Sequence, residues 1–234
     1  MVTHYRMGWK AVRAGLLMVL SLSGGFALAD NIVINGNFET PFAGQDFVMF
    51  QPGETFGGWT VAITWVDLVG TSVQAASGVQ SVDLSGGSAG QIYQDLATVP
   101  GQTYELRFAM AGSGVVEQQP PLIKLMEVGW GTLVDTRSFD ITGHTVTDMG
   151  WTYHTYDLTA VSFITRLQFT SLIDTQWGPM IDDVSVTAVP EPALLVLLGL
   201  GLVGCCYERV RLMRTIAEPG VGSFLPLRTQ ISTA

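Results

Sequence analysis

Residues able to do chemistry are spread unevenly along this 234-residue chain. Gly86-Gly87-Ser88-Ala89-Gly90 matches the G-x-S-x-G pattern, with His144 and His154 downstream and many aspartates around them. A serine in that pattern becomes a nucleophile only on a strand-to-helix elbow, where its hydroxyl is exposed beside an oxyanion hole. Here the pattern lies between two strand-like runs and is glycine-rich on both sides, which reads as a hairpin turn, so a serine hydrolase is the weakest of the functional readings. The histidines lack the i, i+4 spacing of a helical zinc site with a nearby glutamate. The two cysteines, Cys205 and Cys206, are adjacent inside an apolar run, so they form neither a disulfide of the main domain nor a metal centre. Aromatics offer a different chemistry: a flat ring can stack on a pyranose while amides and carboxylates bond its hydroxyls. Trp65, Trp130, Tyr153 and Trp177 have neighbours that look like loops or strand ends and are the candidates for that role, against packing in the core or at an edge. Trp59 and Trp151 follow Gly58 and Gly150 and are assigned to the core.

The elements that must position these residues are strands. Tyr104, Leu106, Phe108 and Met110 alternate with Glu105 and Arg107, which predicts a strand with one buried face. Comparable runs are 31–35, 59–63, 80–84, 90–96, 122–128, 133–139, 151–158, 166–171 and 180–187, separated by Gly, Pro, Asp and Ser. About ten short strands with such turns predict an all-β fold, an antiparallel β-sandwich of jelly-roll type.

Both ends of the chain differ from this body. Residues 1–29 carry Arg6, Lys10 and Arg13, an apolar core from Ala14 to Leu22 and the A-x-A site Ala27-Leu28-Ala29, the layout of a secretory signal peptide cleaved before Asp30. Residues 30–188 are then the exported domain. It holds four basic and seventeen acidic residues, a balance of −13, which argues against nucleic acid and anionic lipid surfaces as partners and suits a soluble surface protein or one that binds divalent cations.

Residues 189–214 read Val189-Pro190-Glu191-Pro192, then fifteen uncharged residues (Ala193 to Tyr207), then a cluster containing Arg209, Arg211 and Arg214. The prolines end the folded domain. As a helix the uncharged run would be about 22 Å long, short of a ~30 Å hydrocarbon core unless the arginines snorkel and the bilayer thins. The arginines favour a cytoplasmic end there, with the domain outside. This three-part layout resembles the PEP-CTERM sorting signal of Gram-negative bacteria. The resemblance implies processing by an exosortase, a transpeptidase-like membrane enzyme, and delivery to the envelope or the extracellular matrix, with the membrane engaged through the C-terminal helix. Residues 215–234 extend past the point where that family usually stops and are expected to be a disordered tail. An ordinary single-span anchor is the alternative.

A second resemblance rests on five pieces in order: Asn35-Gly36-Asn37-Phe38-Glu39, Gly58-Trp59, Gln80-Ser81-Val82-Asp83-Leu84, Val99-Pro100-Gly101 before Tyr104-Glu105-Leu106-Arg107-Phe108, and Gly178-Pro179-Met180-Ile181-Asp182-Asp183-Val184-Ser185-Val186. Together they resemble the choice-of-anchor C family, and more broadly the galactose-binding-like sandwiches that include many carbohydrate-binding modules. Relatives often hold a structural Ca²⁺ where the first and last strands meet, and the positions that match are Glu39 and Asp182 or Asp183. Hard carboxylate and carbonyl oxygens suit that ion. With Val184 and Val186 facing the core, strict alternation makes Asp182 an inward carboxylate in need of a partner, whereas the alternative leaves these acids exposed at turns. The resemblance implies a non-catalytic surface module that binds extracellular polysaccharide. A structural matrix or adhesion protein without a discrete sugar site is the other reading.

Overall fold

Strand alternation decides which side chains reach the interior, and the longest strands show it most clearly. In the computed structural model, which describes residues 30–190, Tyr104, Leu106, Phe108 and Met110 are all buried in one core, while Glu105 is exposed and Arg107 half-exposed. The strands are β1 (Phe47–Phe50), β2 (Thr55–Phe56), β3 (Trp59–Ile63), β4 (Val66–Val69), β5 (Ser81–Asp83) and β6 (Gln91–Ala97). They continue with β7 (Thr103–Gly112), a 3₁₀ turn at Val116–Gln118, β8 (Ile123–Trp130), β9 (Leu133–Asp140), β10 (Thr152–Thr159), β11 (Ile164–Ser171) and β12 (Pro179–Ala188). Two six-stranded sheets result, ordered β1-β4-β5-β12-β7-β10 and β2-β3-β6-β11-β8-β9, with every named pairing antiparallel. This is the all-β sandwich of jelly-roll type expected from the sequence. Its core is rich in aromatics: Trp59 packs on Phe38 and Phe169, and Phe169 meets Phe108 edge-on.

The expected first strand at 31–35 is reduced to a single bridge between Asn31 and Thr187. The Asn31 carboxamide accepts the N–H groups of Val33 (3.0 Å) and Val186 (2.9 Å), and the backbone then turns at Asn35, whose φ is 51°. Gln94 holds both backbone groups of Ile34, and the Trp59 indole donates to the Asn35 carbonyl. The segment is thus fixed by side chains rather than by a ladder. Strands β1, β2 and β4 have no counterpart among the expected elements.

The second correction concerns Asp182. The register shifts between Asp182 and Ser185, and Asp183 sits at φ 49°. A bulge adds one residue and reverses the parity of the strand around it. Ile181, Val184 and Val186 therefore all reach the core, while Asp182 pairs with Ala109 on the opposite face of the sheet. Asp182 is nonetheless fully buried, because the long connection from β4 to β5 folds back over that outer face and its Ser77 N–H donates to Asp182 Oδ2 at 2.7 Å. The same cover explains why Ala109 and Ala111, on the solvent-facing side by alternation, are also buried.

The signal peptide (1–29), Glu191, Pro192, the apolar run with Arg209, Arg211 and Arg214, and the tail (215–234) lie outside the described residues. Among the described residues no helix is long and apolar enough to cross a membrane.

Candidate functional site

Antiparallel pairing of β4 with β5 puts Asp67 directly opposite Asp83, and pairing of β5 with β12 puts Asp83 opposite Met180. Val66 and Leu68 belong to the core, so Asp67 and Val69 project to the outer face, and Asp83 and Met180 share it by register. The folded-back β4–β5 connection brings Val73 alongside, and the loop entering β12 supplies Gln176 and Trp177. These residues enclose a cleft of about 390 Å³ that also touches Asp46, Ser72 and Ser113. A neighbouring lobe of about 340 Å³ shares Val69, Val73, Ser113 and Trp177 and is bounded by Val115, Val146 and Met149. One half is thus acidic and the other apolar.

The acidic half is electrostatically unusual. Asp83 is nearly fully buried, and burial pushes its carboxyl up to about 7, with Asp67 adding to the rise and Ser113, Ser85 and Gly178 opposing it by hydrogen bonds. Burial likewise raises Asp67 to about 6. Its Oδ1 is out of reach of water and has no hydrogen-bond partner. A buried acceptor left unsatisfied costs free energy.

Two side chains shape the walls. Trp65, at the entrance to β4, lies across Gly86 and Gly87: a Cβ on either glycine would run into the indole, and one on Gly86 would also crowd Asp67 Oδ1. Trp177 is held from behind by Lys124, which is fully buried and donates from Nζ to the carbonyls of Trp177 (2.8 Å) and Gln119 (3.1 Å). Desolvation lowers the Lys124 pKa, and the charge of Asp83 works against that shift. Gly112 makes room for the Lys124 stem, since a side chain there would overlap it.

Of the four aromatic candidates, the structure brings Trp177 to this cleft, while Trp65 packs against Gly86, one of the residues that line it. Trp130 is a correction. It ends β8 facing inward, is 3% exposed, packs on Tyr104 with ring centroids 5.9 Å apart, and has no free face for a ligand. Tyr153 is exposed on β10, but its ring carries the Arg107 guanidinium at 3.7 Å and its hydroxyl donates to Asp183 at 2.9 Å. It borders a separate hollow with Gln74 and Trp151. Ser88 lies in the bends between β5 and β6, a strand-to-strand connection with no elbow.

The three proposed calcium ligands divide. Glu39 accepts the N–H groups of Val79 (2.8 Å) and Gln80 (3.0 Å), and Asp182 accepts those of Ser77 and Asp183. Both therefore grip the same loop, and burial raises Asp182 to about 7. Asp183 turns away into an ion pair with Arg107 at 2.9 Å. Among the described residues no group of three or more His, Cys, Asp or Glu is placed to hold a metal. A cation between Glu39 and Asp182 would have to complete its shell with loop carbonyls.

Sequence reasoning missed Asp46, Asp67, Asp83 and Lys124. Their convergence depends on strand register, which the residues themselves do not announce.

Residues 31–187 match the family model described as protein of unknown function (DUF642). Residues 188–210 match the PEP-CTERM protein-sorting motif, which includes Val189 and Pro190 and implies export to the cell surface or extracellular space with exosortase processing. Halomucin of Haloquadratum walsbyi is 29% identical over 189 residues, 76% of this chain, and the chain spans about 2% of that relative's length. Similar solved structures include TmCBM61 in complex with β-1,4-galactotriose, at TM-score 0.42 and 17% identity, covering 69% of this chain and 100% of that one. The CBM22-1 xylan-binding domain of Paenibacillus barcinonensis Xyn10C has TM-score 0.42 and 16% identity, covering 63% and 97%. A family 35 carbohydrate-binding module of Clostridium thermocellum has TM-score 0.41 and 14% identity, covering 62% and 99%.

Proposed function

We infer that this chain, which belongs to the DUF642 family and carries a PEP-CTERM sorting motif behind its sandwich, is an exported, non-catalytic surface module that binds extracellular carbohydrate in the cleft between Trp177 and the Asp67–Asp83 pair. The observation that carries this reading is the Asp67–Asp83 carboxyl pair lining a cleft beside an apolar lobe. A sugar hydroxyl donates to this carboxyl pair while the C–H face of the ring covers Trp177, Val69 and Val73. The acidic residues then act as recognition groups.

Before processing, the apolar run from Ala193 to Tyr207 sits in the membrane and the exosortase acts at the Pro190-Glu191-Pro192 signal. A structural Ca²⁺ held by Glu39 and Asp182 belongs to this reading as a fold-stabilising ion rather than as part of the cleft.

A glycan array tests the proposal. The exported protein should give a hit that is lost in Trp177→Ala and Asp67→Ala, each checked for folding by its melting curve. A blank array with folded protein overturns sugar binding and leaves a structural matrix role.

A further inference from the structure

At the end of the sandwich away from the cleft, two turns lock together and a third pairs with β11 beside them. Thr98 N–H donates to the Phe163 carbonyl (2.9 Å), Gly101 N–H to Ala160 (2.8 Å), and Gly131 N–H to Arg166 (2.9 Å). Turns at a sandwich end are ordinarily polar. Here 98–102, 131–134 and 160–164 contain no charged residue, in a domain with seventeen acids. Instead Val161 is 77% exposed, Phe163 76%, Ile164 66%, Val99 60%, Val134 57% and Leu133 56%. Apolar side chains gathered this way on a surface mark a contact with something else.

The chain leaves the domain at this same end. Val189 N–H donates to the Thr103 carbonyl (2.9 Å), and Gln102 Nε2 donates to the Val189 carbonyl (2.7 Å). Only Pro190, Glu191 and Pro192 separate that point from the uncharged run beginning at Ala193. Three residues span at most about 11 Å. Whatever holds the apolar run is therefore within reach of the exposed turns.

We propose that this end is a membrane-docking tip: before processing, the side chains of Val99, Val161, Phe163 and Ile164 enter the interfacial layer of a phospholipid bilayer. The proposal rests on the reading of Ala193–Tyr207 as membrane-embedded. Tethering supplies a high local concentration of lipid surface, so a small apolar contact suffices. A domain with a balance of −13 is repelled by anionic lipid through most of its surface, and the three charge-free turns are the part that escapes this. Because β12 runs from Pro179 near the cleft to Ala188 near the tip, docking places the cleft about 30 Å from the bilayer, facing outward.

The test uses the full chain reconstituted in phosphatidylcholine vesicles that contain lipid brominated on the acyl chains. Two variants are compared after subtraction of the parent emission: Phe163→Trp at the tip, and Phe42→Trp at an equally exposed position before β1 (66% exposed). The emission added at 163 should be largely lost on bromination, and that added at 42 retained. In the same vesicles, amide exchange at 98–102 and 160–164 should be slowed for the native chain and restored by Val161→Ser with Phe163→Ser. Co-flotation with vesicles but equal quenching at 163 and 42 overturns the tip while leaving the membrane reading intact. Failure to co-float overturns both. Slowed exchange accompanied by a doubled mass, with no quenching, overturns the tip in favour of a second copy of the chain.

Discussion

Asp67 and Asp83 stand directly opposite each other on β4 and β5, two carboxyl groups on one face of a sheet with burial raising both. Like charges in that position repel, so at least one keeps its proton well above the usual carboxylate range. A folded-state pKa above the unfolded value means the native state binds more protons, and stability then falls as pH rises from about 4 toward 7. Asp182, also raised to about 7, acts in the same direction. His154, lowered by desolvation, opposes the trend near pH 6.5, but it is one group against three. Asp83, buried almost completely, contributes on the order of 1 kcal/mol per pH unit between those limits. Urea midpoints should therefore be higher near pH 5 than near pH 7.5, and Asp83→Asn should flatten the difference. A midpoint that rises across that interval in the native protein would contradict the arrangement.

Lys124 should govern the position of Trp177. Lys124→Met keeps the stem but leaves the carbonyls of Gln119 and Trp177 without a donor, at about 1–3 kcal/mol for each buried acceptor. The expected result is a lower melting temperature together with weaker glycan binding, although Lys124 touches no ligand. Unchanged affinity in a destabilised variant would detach Lys124 from the cleft.

The tryptophans separate by role. Trp130→Ala should cost about 3–5 kcal/mol of stability through the cavity left against Tyr104, with ligand affinity unchanged in whatever protein remains folded. Trp177→Ala should do the reverse, losing binding with a smaller change in melting, as a titration of the variant with the array hit would read out.

Removal of divalent cations tests Glu39 and Asp182. If Ca²⁺ bridges them, EDTA lowers the melting temperature and added Ca²⁺ restores it by mass action. Glu39→Gln should then abolish the response. An identical melting curve in excess EDTA would assign both carboxylates to their backbone N–H partners alone.

Much of the body was legible because alternation survives wherever one face of a strand meets the core, as at Tyr104, Leu106, Phe108 and Met110. It failed where a second layer or an extra residue intervened. Ala109 and Ala111 are buried beneath the β4–β5 connection, and the bulge at Asp183 turned Asp182 to the opposite face. Trp130 precedes Gly131 and so looks like a turn residue, yet its inward direction is set by β8. The cleft was the least visible part. Asp67 and Asp83 are sixteen positions apart, and only the register of two short strands makes them neighbours. Trp177 could be picked as an aromatic near a turn, but not as the neighbour of that carboxyl pair.

The bridge between Asn31 and Thr187 brings the first and last residues of the sandwich side by side. A module that enters and leaves through one doorway can be spliced into a longer polypeptide without parting its host, and leader or trailer can be trimmed without unpicking any internal strand. Such a cassette is interchangeable: evolution can keep the body and exchange the hardware that fixes it to a cell.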